Sequence, residues 1–154
     1  MITINDVKLI KLNTFLDSEG SLVPIEFDST APFEVKRVFY VYGVHNQNDR
    51  GEHSHHKTKQ FLICLNGEIK VLCDDGDVKK EWILNKPNEG LYIPNLIWDE
   101  QTYMSADSVL LVLANTHYDE DDYINDYNQF KKIKNPIKRG WRGQRLGAYH
   151  DEIK

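Results

Sequence analysis

Cysteine is scarce in this chain: Cys64 and Cys73 are the only two among 154 residues. Two thiols cannot build the multi-bridge framework of a small secreted domain, so the reading favours a reducing, cytoplasmic setting. Long apolar runs are missing as well. No stretch approaches the ~18–20 apolar residues that would span a bilayer as a helix. The opening MITINDVKLIKLN has no charged leader followed by an apolar block, so neither a signal peptide nor a membrane partner is expected. An overall basic excess is absent too. The net charge of -5 argues against nucleic acid as a partner, because that partner requires a basic footprint. Internal repeats and low-complexity tracts are also lacking.

What is present suits a single globular domain. Hydrophobic residues make up 40% and aromatic residues 11% of the chain, enough for a sizeable core, while 28% charge keeps the surface soluble. The charge is unevenly spread. Asp119 to Asp122 is an unbroken acidic run, whereas Lys131 to Arg145 holds seven basic side chains and no acidic one. The expected organisation is one domain over residues 1–135 and a basic C-terminal tail over 136–154. The tail reads as a solvated face, or as a segment that meets a pyrophosphate or a partner subunit.

Short apolar runs broken by Asn, Asp, Gly and Pro recur from about residue 20 to residue 115. SLVPIEF (21–27), EVKRVFYVYGV (34–44), QFLICLN (60–66), EIKVLCD (68–74), KKEWIL (79–84), GLYIP (90–94), LIWDEQTYM (96–104) and DSVLLVLAN (107–115) all read as strands. That pattern indicates an all-β sandwich or barrel. Asn66-Gly67 predicts a two-residue hairpin turn with positive φ at both positions. In that register Leu65 faces Glu68, Cys64 faces Ile69 and Gln60 faces Cys73, so no disulfide is expected. A helix is expected over 119–134, with acidic residues first, lysines last and Pro136 as its stop. Tyr123 or Ile124, with Tyr127 and Phe130, would form its apolar stripe.

RGEHSHH, residues 50–56, concentrates three of the six histidines. Three readings are open: a metal site, an acid–base site, or a solvated strand end. His53-Ser54-His55, then Gln60 and Gly67, followed by Gly90 and Pro94, resembles the layout of metal-binding cupins. Gln60, however, replaces the ligand glutamate, and Asp99 stands where a third histidine is expected. Glutamine is a weak ligand for Zn²⁺, Fe²⁺ or Ni²⁺. A two-histidine, one-carboxylate set of His53, His55 and Asp99 would suit non-haem iron, so a metal-dependent oxygenase is the rival reading. Without a metal, His53 and His55 point the same way by strand alternation, and imidazoles suit proton transfer near neutral pH. His56 should face solvent, and His45, His117 and His150 read as structural or exposed. Trp82 and Trp98 read as strand aromatics of the core, with Trp98 able to reach a pocket.

KRVFYVYGV, DRGEHSHHKTKQFLICLNGEIKVLCDDG, LYIPNLIW and VLANTHYDEDDYI together resemble the dTDP-4-keto-6-deoxyglucose 3,4-ketoisomerases. The likeness runs from about residue 5 to residue 133 and includes the DSEGSL segment at 17–22. It implies a cupin, a small jelly-roll β-barrel with a short C-terminal helix. It implies a homodimer that exchanges an N-terminal strand, a dTDP-linked 4-keto-6-deoxy sugar as substrate, and no metal or other cofactor. His53 and His55 would then be the acid–base pair, with His53 the base at C3. Arg37 and Arg50 would meet pyrophosphate or sugar oxygens. Phe39 would line the pocket, and Gln60 would hydrogen-bond substrate or orient a histidine. Glu19, Phe39 and Asp99 depart from the residues frequent in that family at positions expected to influence which face of C4 is protonated. A non-catalytic dTDP-sugar-binding module is the second rival.

Overall fold

The computed structural model describes residues 1–45 and 48–136. The proposed tail, with Trp141 and His150, lies outside the described residues apart from its first position. Twelve strands follow one another: β1 (Lys8–Lys11), β2 (Phe15–Asp17), β3 (Gly20–Leu22), β4 (Arg37–Val41), β5 (Asp49–His55), β6 (Gln60–Asn66), β7 (Ile69–Asp74), β8 (Lys79–Leu84), β9 (Glu89–Ile93), β10 (Trp98–Tyr103), β11 (Val109–Ala114) and β12 (Tyr123–Ile124). One α-helix among the described residues, α1, spans Tyr127–Lys134. One sheet has the order β1-β9-β6-β11-β4 and the other β12-β5-β10-β7-β8, while β2 and β3 form a separate hairpin. The sheets face each other as a jelly roll and are not joined into a continuously bonded barrel. No helix among the described residues is long and apolar enough to cross a membrane.

The core explains why QFLICLN is apolar at every position rather than at alternate ones. Leu62 and Cys64 point between the sheets, into a cluster with Ile69, Val71, Cys73, Leu91, Tyr103 and Leu110. Phe61 and Ile63 point the other way, against Leu12 and Leu113, and the segment carrying Val23, Ile25, Phe33 and Val35 covers them. A strand buried on both faces loses the period-two polar signal. At Gly90 the Phe61 ring lies so close that an added Cβ would stand 2.1 Å from it.

Three expectations are corrected. Asn66-Gly67 does not close a hairpin. β6 and β7 belong to different sheets, with Asn66 opposite Val109 and Ile69 opposite Tyr103 and Leu84. Of the two turn residues only Gly67 has positive φ, at 78°, so the mirror-image turn is not formed. The glycine is needed for close approach, since a Cβ there would stand 2.5 Å from the hydroxyls of Ser105 and Ser108. Cys64 and Cys73 are buried free thiols; burial pushes Cys64 up to about 11. The expected strand at 21–27 ends at Leu22, before Pro24. The helix begins only at Tyr127, where Asp126 accepts a hydrogen bond from the Gln129 amide at 2.7 Å. The acidic run before it forms a 3-10 turn, Glu120–Asp122, and then β12. Ile124, Trp98 and Phe130 pack together, with Tyr127 beside them.

Candidate active site

Between the sheets lies a cavity of about 210 Å³. Phe39 and Val41 from β4, Gln60 from β6, and Leu110 and Val112 from β11 form one wall. Arg50, Gly51 and His53 from β5, Gln101 from β10 and Tyr123 from β12 form the other. Val41, Leu110 and Val112 form its aliphatic part, while Arg50, His53, Gln60 and Gln101 give it polar groups on both walls. Phe39, Arg50, His53 and Gln60 are therefore gathered as the sequence suggested. Gln101 and Tyr123 were not foreseen.

His53 reaches this wall through a bulge in β5. Asp99 pairs with His53 and Glu100 with Gly51, so Glu52 is left without an opposite residue. Gly51 and Glu52 both take positive φ, 84° and 56°. At Gly51 a Cβ would stand 2.9 Å from the Asp99 carbonyl oxygen, so a side chain is excluded there. The same bulge brings the Gly51 carbonyl to 2.9 Å from His53 Nδ1. A carbonyl only accepts, so Nδ1 carries the proton and Nε2 is left with its lone pair. That is the form a general base requires.

His55 plays a different part. It is 4% exposed and does not line the cavity. Its ring packs edge-on to His53 at 4.9 Å between centroids and to Tyr123 at 4.4 Å. His55 Nδ1 donates to Asp122 Oδ2 at 3.2 Å, and its Nε2 lies 3.5 Å from Gln60 Nε2. Burial pushes the imidazole down to about 4, with His53 adding to the fall and Asp122 opposing it. His55 is neutral at neutral pH. For Asp122 burial acts upward, but hydrogen bonds from the Thr58 hydroxyl and the Thr58 and Lys57 amides outweigh it and hold the carboxyl low.

Arg37 stands outside the cavity lining, its guanidinium 5.3 Å over the Phe39 ring and 5.7 Å from Tyr118. Its buried Nε has no hydrogen-bond partner among the described residues. Asp99 is 1% exposed, accepts a bond from Gln101 Nε2 at 2.8 Å and does not line the cavity. Burial pushes its carboxyl up, against the pull of His53 and Gln101. The rival iron triad is thus not assembled. Asp99 is turned to Gln101 and His55 to Asp122, and no three His, Cys, Asp or Glu side chains among the described residues are placed to hold a metal ion. Glu19 lies in the turn of the β2–β3 hairpin, exposed and apart from the cavity. Trp98 packs on Tyr127 and Phe130 rather than reaching the cavity. His45, His56 and His117 are exposed, and Trp82 packs partly buried against the core.

The family model described as FdtA, WxcM-like, C-terminal, matches residues 5–135. The curated TDP-4-oxo-6-deoxy-alpha-D-glucose-3,4-oxoisomerase of Aneurinibacillus thermoaerophilus is 44% identical over 125 residues, covering 81% of this chain and 90% of that protein. A mutant of the 3,4-ketoisomerase QdtA from Thermoanaerobacterium thermosaccharolyticum, with histidine changed to asparagine and TDP-4-keto-6-deoxyglucose bound, is 40% identical. That match covers 90% of this chain and 100% of the other at a TM-score of 0.84. WlaRA from Campylobacter jejuni, a TDP-fucose-3,4-ketoisomerase, is 39% identical, covering 86% of this chain and 98% of its own at a TM-score of 0.81.

Proposed function

The chain belongs to the FdtA family of WxcM-like proteins, and on that premise we propose how its own residues carry out a sugar 3,4-ketoisomerisation. The substrate is TDP-4-keto-6-deoxyglucose and the product its 3-keto isomer. The C4 carbonyl acidifies the C3 proton. His53 Nε2 takes that proton, the C3–H electron pair becomes the C3–C4 double bond, and the carbonyl pair moves onto O4 to give an enediolate. The O3 proton then passes to O4, C4 is reprotonated, and the ketone stands at C3. Electrons balance within the sugar, and the step draws on no external oxidant.

One observation carries this reading: His53 is the histidine that faces the cavity, and the Gly51 carbonyl holds it as an Nε2 base. Arg50, inside the cavity, and Arg37, with its unspent buried donor, supply the charge that sugar oxygens and a pyrophosphate need. Phe39 supports the ring, and Gln60 bonds either the substrate or His55. Tyr123 closes the wall beside both histidines.

The catalytic unit is residues 1–135 in the cytoplasm, and it works as a homodimer. The β2–β3 hairpin leaves Phe15, Leu16 and Leu22 at 65%, 78% and 61% exposure with no third strand beside them. Seated on a second copy, the hairpin buries these side chains, Phe15 and Leu22 from one face and Leu16 from the other, and carries Glu19 to a partner's cavity.

The experiment is ¹³C NMR of TDP-4-keto-6-deoxyglucose incubated with chelator-treated protein under anaerobic conditions. Growth of a C3 carbonyl signal supports isomerisation. Turnover that requires iron and oxygen would establish the oxygenase, and binding without turnover the sugar-nucleotide module.

A further inference from the structure

We propose that Asp122 is a positioning residue for this isomerisation, holding His55 as the Nδ1–H tautomer and setting a fixed negative charge behind the His53–His55 pair. The role rests on the reaction proposed above. Asp122 is itself buried, at 5% exposure, and lies on the 3-10 turn before β12. Its Oδ1 accepts the Lys57 amide at 2.7 Å. Its Oδ2 accepts His55 Nδ1 at 3.2 Å, the Thr58 amide at 3.1 Å and the Thr58 hydroxyl at 2.5 Å. Thr58 has one hydroxyl proton and gives it to Asp122, so the Thr116 hydroxyl, 2.5 Å away, must donate to Thr58. Four donors converge on two oxygens. Only the ionised carboxylate accepts them all, because a protonated one would set O–H against a donor.

With Nδ1–H committed to Asp122, His55 Nε2 is an acceptor, turned toward the Gln60 carboxamide. When His53 takes the C3 proton it becomes a cation in a cavity that already holds Arg50. The groups facing His55 are then His53 from β5, Arg37 from β4, Gln60 from β6, Tyr123 from β12 and Asp122. Asp122 is the one anion in this set. Because His55 stays neutral, the histidine pair carries one positive charge at most, set between Asp99, paired beside His53 on β10, and Asp122, across the His55 ring.

Two measurements test this. Long-range ¹H–¹⁵N NMR on the resting wild-type protein should show His55 protonated at Nδ1 and bare at Nε2; the opposite tautomer, or a mixture, overturns the proposal. Steady-state kinetics of Asp122→Asn on TDP-4-keto-6-deoxyglucose should show kcat lower by on the order of 100-fold. KM should stay within about three-fold. An unchanged kcat in a folded variant would overturn it. Should Asp122→Asn fail to fold, the wild-type tautomer decides. A wild-type protein that binds TDP but does not isomerise the sugar would remove the reaction itself, whereas the tautomer is read without substrate.

Discussion

His53 and His55 are two residues apart on one strand, yet they do different work. One meets the cavity with a free Nε2, and the other is buried against a carboxylate. His53→Asn should retain TDP affinity within about two-fold by calorimetry, because the proposed reaction sets the ring against the sugar rather than the nucleotide, and should lose turnover by at least about 10³-fold. For His55 the folded value of about 4 lies below the ordinary 6.5. The folded state then binds fewer protons than the unfolded state between these values, so its stability falls as pH drops from about 6.5 to about 4, by at most about 3 kcal/mol. Above pH 6.5 both states hold neutral His55 and the contribution is flat. An NMR titration should therefore leave the His55 ring unprotonated at pH 5.5. Half-protonation near pH 6.5 would contradict the burial argument. The stability advantage of wild type over His55→Gln should also shrink on acidification through this window.

Among the elements, the β5 bulge is the decisive one. Glu52 sits at φ 56°, a conformation costly for a residue with a Cβ, and the bulge sets His53 Nδ1 against the Gly51 carbonyl. Glu52→Gly keeps the bulge and relieves the strain, so activity should be retained and stability should rise by up to about 1 kcal/mol in chemical denaturation. Deleting Glu52 keeps Asp99 opposite His53 and Glu100 opposite Gly51 but removes the bulge that brings the Gly51 carbonyl to His53 Nδ1, and should lower turnover by at least about 10-fold. A deletion variant with wild-type activity would contradict the role given to the bulge.

The same strand shows where sequence patterns are informative and where they are not. β6, β8 and most of β7, β9, β10 and β11 are legible because their cores are runs of Val, Ile, Leu and aromatics between turn residues. β5 is polar along its whole length, and its bulge depends on cross-strand pairing with Asp99 and Glu100, which local composition does not encode. Asn66-Gly67 misleads because a hairpin dipeptide serves equally at a crossover between sheets, where close approach to Ser105 and Ser108 demands a glycine. Tyr123 was hidden by a spacing that fits a helical stripe. The cap residue Asp126, four positions before Phe130, was the signal that the helix starts later. Asp122, inside an acidic run, carries no local mark of its four donors, which come from residues 55–58.

At the scale of the whole molecule the apolar hairpin is the feature a lone chain leaves unresolved. Phe15, Leu16 and Leu22 are too exposed for a stable isolated two-stranded element. Sedimentation equilibrium should give a dimer, and Leu16→Glu should shift it toward monomer while leaving the jelly-roll circular dichroism intact. A wild-type monomer at micromolar concentration would contradict the proposed assembly. In the proposed assembly Glu19, carried on that hairpin, meets a cavity only through the partner, so its substitution should affect turnover only where dimers form.

The central claim is that His53 Nε2 removes the C3 proton of a 4-keto sugar. It is tested most directly by following TDP-4-keto-6-deoxyglucose in D₂O by ¹H NMR with wild type and with His53→Asn. Wild type should lose the C3 hydrogen and form a 3-keto sugar that carries deuterium at C4, and the variant should leave the C3 hydrogen in place at matched protein concentration. Loss of that hydrogen with the variant at the wild-type rate would contradict it.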